Sequence, residues 1–325
     1  MLYKCSVCIF GDRVNFSTDC KNAYDVIIGL KDYFYNDNFS IDDYDISLKY
    51  EIQYIDSAEQ SELLVNDNIY MYIDTWKDIF HTKQLQSIIY QVVDVVRQES
   101  NRFLLHASAI STKYGAVVFV GDSGVGKTSL MLRLCLKNNF KMISNDRVVI
   151  GKKDDIIYVE RGSKYLNLRK SSIDTYLPEI SNVFGNQKVA DWDNKKVFFP
   201  EDIGLLFETN RTNLYAIIGI NIIDNWNGAP DFYILPAKIG ERYKWSDIMY
   251  INDIFSKSIR GEEHVAVSKT NKINENFFMP LLDNKISSYN RKQFINYIIE
   301  NEKIFRLRSD MEFAEKVILN VLNIN

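Results

Sequence analysis

Hydrophobic and polar positions along this chain follow two periods, and the pattern changes character near residue 100. Residues 2–10 carry the apolar density of a strand. Over 21–34, Ala23, Val26, Ile27, Leu30 and Phe34 recur at helical spacing. Ile46, Leu48, Tyr50, Ile52 and Tyr54 then alternate with Ser47, Lys49, Glu51 and Gln53, which predicts a strand with one buried face. Ile69 to Ile73 predicts a further short strand. Leu85, Ile88, Ile89, Val92, Val93 and Val96 form one stripe of a helix over 83–100. These elements define an N-terminal α+β region, 1–100, followed by a second domain, 101–325, with no linker marking the boundary.

The second domain opens on two apolar runs, 103–111 (FLLHASAIS) and 115–120 (GAVVFV), read as adjacent strands around a short turn. A helix is expected over about 127–137 and a strand over 140–144. A hairpin follows, RVVIG and IIYVE joined by the polar turn KKDD. Short strands are expected at 197–199, 214–222 and 231–236. The end reads as helical, with a run near 290–301 and a last helix opened by a capping box, Ser309-x-x-Glu312, ahead of Ala314, Val317, Ile318 and Val321.

Composition narrows the class. The 325 residues are 46% apolar and 25% charged, with only 5 Pro and 14 Gly, so an ordinary folded protein is expected rather than a disordered chain. A net charge of -4 gives no footprint for nucleic acid. No apolar stretch approaches a membrane span, and the N-terminus lacks the apolar core of a signal peptide, so the reading is cytoplasmic. Cys5, Cys8, Cys20 and Cys135 are too few for a disulfide framework. Cys5-x-x-Cys8 has no second pair, and the thiols are read as structural rather than as zinc ligands. The 20 Tyr and 19 Phe stand out, and much of this excess falls at alternating positions such as Tyr50, Tyr54, Tyr70 and Tyr72, as in a β-rich core.

One motif carries chemistry. Gly121-Asp122-Ser123-Gly124-Val125-Gly126-Lys127-Thr128 satisfies G-x-x-x-x-G-K-[ST] at every fixed position. Glycines let successive backbone N–H groups turn inward around a phosphate chain. Lys127 brings a point charge to the β- and γ-phosphates, and the Thr128 hydroxyl can ligate Mg²⁺. Ser129 continues into the helix, whose positive end faces the anion. Chance would produce this match in roughly one chain of this length in a few hundred. The preceding AVVFV and the following Leu130 and Leu134 supply the strand–loop–helix setting the motif needs. Because the loop follows one strand hairpin and precedes another, the expected fold class is α/β (α+β) with a mixed β-sheet.

His106-Ala-Ser-Ala, GDSGVGKT and Ser144-Asn-Asp-Arg-Val-Val-Ile150 together resemble the core of the HPr kinase/phosphorylase superfamily, related to ATP-dependent phosphoenolpyruvate carboxykinases. The resemblance is specific from about 103 to 170. It leans toward the shorter members that phosphorylate peptides or small proteins other than HPr, and residues 1–100 do not match the HPr kinase regulatory domain. It implies ATP and Mg²⁺ as cofactors, a Ser or Thr hydroxyl as acceptor, His106 beside the phosphates, and Asp146 as base or second metal ligand with Thr128. A homo-oligomer is compatible with it.

Two departures qualify that resemblance. The family carries two adjacent aspartates, the first being the general base, and Asn145 stands there instead, leaving only Asp146. Its glutamate and arginine, two apart, correspond to Asn167 and Arg169, so the arginine alone is kept, either as a γ-phosphate clamp or as a solvated strand residue. An amide cannot accept the substrate proton as a carboxylate does. Two functions therefore stand side by side: an active phosphotransferase, and a nucleotide-responsive module that binds a protein partner without catalysis. Arg147 is expected to point away from Asp146. Arg211, Arg242 and Arg260 are candidate substrate clamps, His81 and His264 are read as surface residues, and Phe184 to Lys196 as a plain surface loop, with a mobile lid carrying Trp192 at its tip as the alternative.

Overall fold

The structure, a computed structural model, describes residues 1–33, 39–58, 62–76, 78–184, 195–223, 228–236, 238–239, 242–259 and 284–322. The chain divides into two compact units, Met1–Phe103 with Lys257–Lys292, and Leu104–Ser256 with Gln293–Asn325.

In the first unit a six-stranded sheet runs in the order Phe39–Asp42, Tyr3–Ile9, Asp12–Thr18, Glu51–Asp56, Ile69–Asp74, Glu62–Asn66. Glu51–Asp56 lies parallel to Asp12–Thr18 and to Ile69–Asp74, and the remaining pairs are antiparallel. Helices Lys21–Tyr33 and Asp78–Glu99 accompany it. Tyr50, Tyr54, Tyr70 and Tyr72 are buried, with ring centroids 6.2 Å apart for Tyr50 and Tyr70 and 5.4 Å for Tyr54 and Tyr72. The tyrosine-rich pattern is therefore core, as its alternation predicts. Phe34 and the side chains of Leu30 and His81 lie outside the described residues.

One expectation for this unit holds with an addition, and one needs correction. The first apolar run is the leading half of a hairpin that turns at Phe10 and Gly11, whose φ values are 55° and 87°. Its second strand escapes the pattern because Asn15 and Ser17 are buried polar residues, tied to Ser6 and Glu51 at 2.8 and 2.6 Å. Ile46 and Leu48 do not extend the strand of Ile52 and Tyr54. The Asp45 carboxylate accepts from the Ser47 N–H at 2.9 Å and its carbonyl from the Leu48 N–H at 3.1 Å, so a local turn replaces the ladder. Ile46 is left 92% exposed.

A buried charge network fastens the hairpin to the second helix. The Arg97 guanidinium, 1% exposed, meets Asp12 at 2.7 Å, pairs with Asp94, and donates to the Ile9 carbonyl at 3.2 Å. Arg102 holds the other Asp12 oxygen at 2.5 Å.

The second unit is built on a mixed sheet in the order Lys141–Ser144, Ala107–Thr112, Gly115–Val120, Thr212–Ile222, Ile156–Glu160, Val148–Lys153, Arg102–Leu105. Ile304–Ser309 adds parallel to Thr212–Ile222, and Asp231–Leu235 adds antiparallel to Ile304–Ser309. Gly115–Val120, Thr212–Ile222 and Ile304–Ser309 thus run parallel among antiparallel neighbours, the mixed α/β arrangement expected. Helices Lys127–Asn138 and Met311–Val321 cover one face, where Leu130, Met131, Leu134, Ala314 and Ile318 pack with Ile218, Ile220 and Leu307.

Here too the pattern misleads in places. The run 103–111 is two strands, broken by a bend at His106. The hairpin strands extend through Lys152 and Lys153 and leave Asp154 and Asp155 to turn, Asp154 having a φ of 55°. Ser309 closes a strand rather than capping a helix: the cap is Asp310, whose carboxylate accepts from Phe313 N–H at 2.8 Å. Helices Lys170–Tyr176 and Trp245–Ile259 and the strand Ile304–Ser309 are additional to the elements the pattern predicts.

These placements lead to contrasting stability effects, read by urea unfolding. Ile46→Ser should change stability by less than about 0.5 kcal/mol, as for an exposed residue outside any ladder. Asp12→Ala should cost about 3–5 kcal/mol, because it removes the buried carboxylate that Arg97 and Arg102 share and leaves an excess of positive charge there. A large loss from Ile46→Ser would restore the uninterrupted strand.

Candidate nucleotide site

Val120 ends the strand between Ala107–Thr112 and Thr212–Ile222, and the chain turns through 121–126 directly into helix Lys127–Asn138. Leu130 N–H bonds the Gly126 carbonyl at 2.9 Å in the first helical turn. The glycines serve different ends. A Cβ on Gly121 would lie 2.7 Å from the Ile220 carbonyl oxygen, and one on Gly126 would lie 2.9 Å from the Ile222 side chain. Both let the loop press against the neighbouring strand, where Ile222 N–H bonds the Val125 carbonyl at 3.0 Å. Gly124, with φ of 86°, faces open space instead. Asp122, Ser123 and Gly124 are exposed, Val125 and Ser129 half-buried. The loop is thus packed behind and open in front, as a phosphate cradle must be.

Lys127 is buried to 7% exposure, and its ammonium donates to the carbonyls of Gly121 and Asp122 at 2.7 and 2.8 Å. The charge is already held at the loop mouth. Thr128 Oγ1 donates to Asn145 Oδ1 at 2.8 Å, and Ser108 Oγ donates to the same oxygen at 2.9 Å. Asn145 Nδ2 in turn donates to the Tyr165 carbonyl at 3.3 Å. Asn145, 3% exposed, is therefore a hub whose oxygen serves two hydroxyls and whose amide serves a carbonyl.

The neighbouring Asp146 adopts a left-handed conformation, φ 64°. Its Oδ2 accepts from the Tyr165 hydroxyl at 3.1 Å, and its Oδ1 lies 3.8 Å from His106 Nε2. The bend that splits the first strand run is what brings His106 here. The Asp146 turn is fastened from outside. Asn145 N–H bonds the Ser163 carbonyl at 2.9 Å, Ser163 N–H bonds the Arg147 carbonyl at 3.0 Å, and Ser163 Oγ donates to the Asn145 carbonyl. Gly162 N–H donates to Ser144 Oγ at 3.0 Å, which donates to the Ser163 carbonyl at 2.7 Å. Only glycine fits at 162, since a Cβ there would sit 1.9 Å from the Arg147 carbonyl oxygen.

Thus Lys127, Thr128, Asn145, Asp146 and His106 form one constellation around the loop. The other candidates fall elsewhere. Asn167 is exposed on the strand Leu166–Arg169, which pairs with Lys195–Phe198, and Arg169 follows on the same outward face. Arg147 lies in the turn ahead of the strand Val148–Lys153, not within it. Arg211 is half-exposed and bound to Glu160. Residues 185–194 with Trp192, together with Arg260, His264 and the side chain of Arg242, lie outside the described residues. Cys5, Cys20 and Cys135 are buried free thiols, and burial pushes Cys5 up to about 12, which makes it a poor metal ligand.

Two residues escaped the sequence reading. Tyr165 has no motif around it. Arg306 lies in a short apolar strand, and its guanidinium rests 4.6 Å from the Tyr250 ring centroid and 3.4 Å from the Tyr233 hydroxyl. Tyr250 leans over Gly219, where a Cβ would come within 2.7 Å of its hydroxyl. Burial raises its pKa, against the opposing influence of Arg306, and Asp122 of the loop raises it further.

The donor set bears on Mg²⁺. Among the described residues no group of three or more His, Cys, Asp or Glu side chains could hold a metal. Thr128 and Asp146 are the expected oxygen donors, and the Thr128 hydroxyl spends its proton on Asn145, leaving lone pairs for a cation. Few protein ligands, completed by waters and phosphates, is the set Mg²⁺ accepts.

No protein-family model matches the chain, and no curated protein matches it. Among solved structures it is similar to the HPr(Ser) kinase/phosphatase from Coxiella burnetii, with 9% identity and a TM-score of 0.32 over 68% of this chain and 93% of that one. A likeness that slight carries no argument about the site. No helix among the described residues is long and apolar enough to cross a membrane.

The Asn145 hub predicts a metal-dependent defect. Asn145→Asp sets a carboxylate oxygen against the Tyr165 carbonyl, costing about 1–3 kcal/mol in metal-free buffer for the lost donor. Millimolar Mg²⁺ should recover part of that loss in thermal unfolding. Equal stability of the variant and wild type without metal would show that the amide is not needed as a donor.

Proposed function

We propose that the chain is an ATP- and Mg²⁺-dependent phosphotransferase that delivers the γ-phosphoryl group to a hydroxyl, a Ser or Thr of a peptide or small protein. One observation supports this above the others. Asp146 is held in a left-handed turn beside the phosphate loop, with one carboxylate oxygen facing His106. A carboxylate fixed in direction beside a phosphate-loop motif is placed to accept a proton.

In this reading the backbone amides of 121–127 cradle the β-phosphate, and Lys127 exchanges the loop carbonyls for phosphate oxygens. Bound Mg²⁺, held by Thr128 and phosphate oxygens, would neutralise charge on the phosphates, and Asp146 serves as the base rather than as the second metal ligand. Asp146 Oδ1 takes the proton of the acceptor hydroxyl as the acceptor O–P bond forms, the bond from γ-phosphorus to the bridging oxygen breaks, and ADP leaves with the bond electrons. His106 orients the γ-phosphate. Phosphoryl transfer depends chiefly on positioning and charge, so the loss of one of the two carboxylates of the resembling family need not abolish it.

A second reading rests on Asn145. A neutral hub serving three internal partners also suits a nucleotide-responsive module that recognises a protein partner and turns over nothing.

Calorimetry separates both readings from neither. Wild type should bind ATP·Mg saturably, and Lys127→Ala should not; no saturable binding to wild type would remove both. Single-turnover ATP consumption should fall about a hundredfold or more in Asp146→Ala, the scale of general-base effects. Consumption that is measurable in wild type and unchanged in that variant takes Asp146 out of the mechanism. Binding without consumption favours the partner-binding module.

A further inference from the structure

The Asp146 carboxylate can present either oxygen to a reacting group unless it is held, because rotation about its terminal torsion is soft and roughly two-fold. Here it is held. The Tyr165 hydroxyl donates to Oδ2 at 3.1 Å, while Oδ1 is turned toward His106. We propose that Tyr165 is the positioning residue of this site, selecting Oδ1 of Asp146 as the oxygen presented to the acceptor hydroxyl. This rests on the reading of Asp146 as the base.

Tyr165 is suited to the task because its own place is fixed from several directions. Its carbonyl accepts from Asn145 Nδ2 at 3.3 Å, so one residue grips both members of the Asn145–Asp146 pair through different atoms. Upstream, Gly162 and Ser163 are bolted to the turn Ser144–Arg147. Downstream, Leu166 is fully buried and opens the strand Leu166–Arg169. The adjacent Lys164 pairs with Glu201 at 3.0 Å instead. A tyrosine anchored at both flanks gives a carboxylate a fixed direction, which a solvated hydroxyl could not.

The Tyr165→Phe variant removes the donor and keeps the ring and the carbonyl. Its single-turnover rate should fall about 10- to 100-fold, the range for loss of a supporting hydrogen bond to a site ligand. Affinity for ADP·Mg should stay within about twofold, since no phosphate contact changes. In an Asp146→Ala background the same substitution should cost nothing further, because it acts through Asp146. An equal loss in both backgrounds would overturn the proposal.

A second measurement needs no turnover. The ring C–H resonances of His106, assigned by their loss in His106→Gln, should shift in Tyr165→Phe. Unmoved His106 signals would equally overturn the assignment. Failure of wild type to bind ATP·Mg would instead count against the nucleotide reading, and the resonances would still decide on Tyr165.

Discussion

Much of this site depends on a side chain that is not there. The segment Arg161–Tyr165 presses onto the turn Ser144–Arg147 so closely that a single carbon on Gly162 would overlap the Arg147 carbonyl. That approach lets Ser163 and Ser144 stitch the two backbones together. With its neighbours so tied, Asp146 has little freedom to leave the left-handed region. A residue other than glycine, asparagine or aspartate would pay more for that conformation, so sequence and backbone agree at this point. From the same contact follow the placement of Tyr165, the direction of the Asp146 carboxylate and its proximity to His106.

The phosphate loop obeys a parallel constraint on its other side. Gly121 and Gly126 touch Ile220 and Ile222, so the loop takes its shape from a strand much later in the chain. That strand also carries Ile304–Ser309 alongside it, and the helix after Asp310 packs on the helix after the loop, where Glu315 pairs with Arg133 at 2.7 Å. The loop is therefore formed by tertiary packing as much as by its own glycines. Gly124 alone is spent on the open side, where no protein atom lies within 4 Å of a would-be Cβ.

The sequence made the local part of this legible. Strand, loop and helix at 115–138 follow from apolar runs around a fixed motif, and the tyrosine alternation at 50–54 and 70–72 marks a core. What it concealed had long-range causes. Ile46 and Leu48 continue a perfect alternation, yet the Asp45 turn competes locally and wins. The strand of Asn15 and Ser17 looks too polar to be buried until its partners Ser6 and Glu51 are known. His106 sits in an unbroken apolar run, and only different strand partners on either side show why the chain bends there. Tyr165 and Arg306 belong to no motif, so only the folded chain places them.

The same distinction changes how Asn145 is understood. Set beside the resembling motif, it is an amide where a carboxylate is expected. In the fold it does work that a carboxylate does poorly, since it must accept from Ser108 and Thr128 with one oxygen and donate to the Tyr165 carbonyl with its nitrogen. An ionised aspartate has no proton to donate, and at 3% exposure it would carry its charge into a site that a cation would have to balance. The amide keeps the hub intact without metal, and the negative charge is concentrated on Asp146 alone, at the rim, where its side chain is 36% exposed. A single rim carboxylate is weak as a standing metal site and depends on phosphate oxygens to complete it. Under the proposed function, order of assembly follows from that chemistry: a divalent cation should enter with the nucleotide rather than ahead of it.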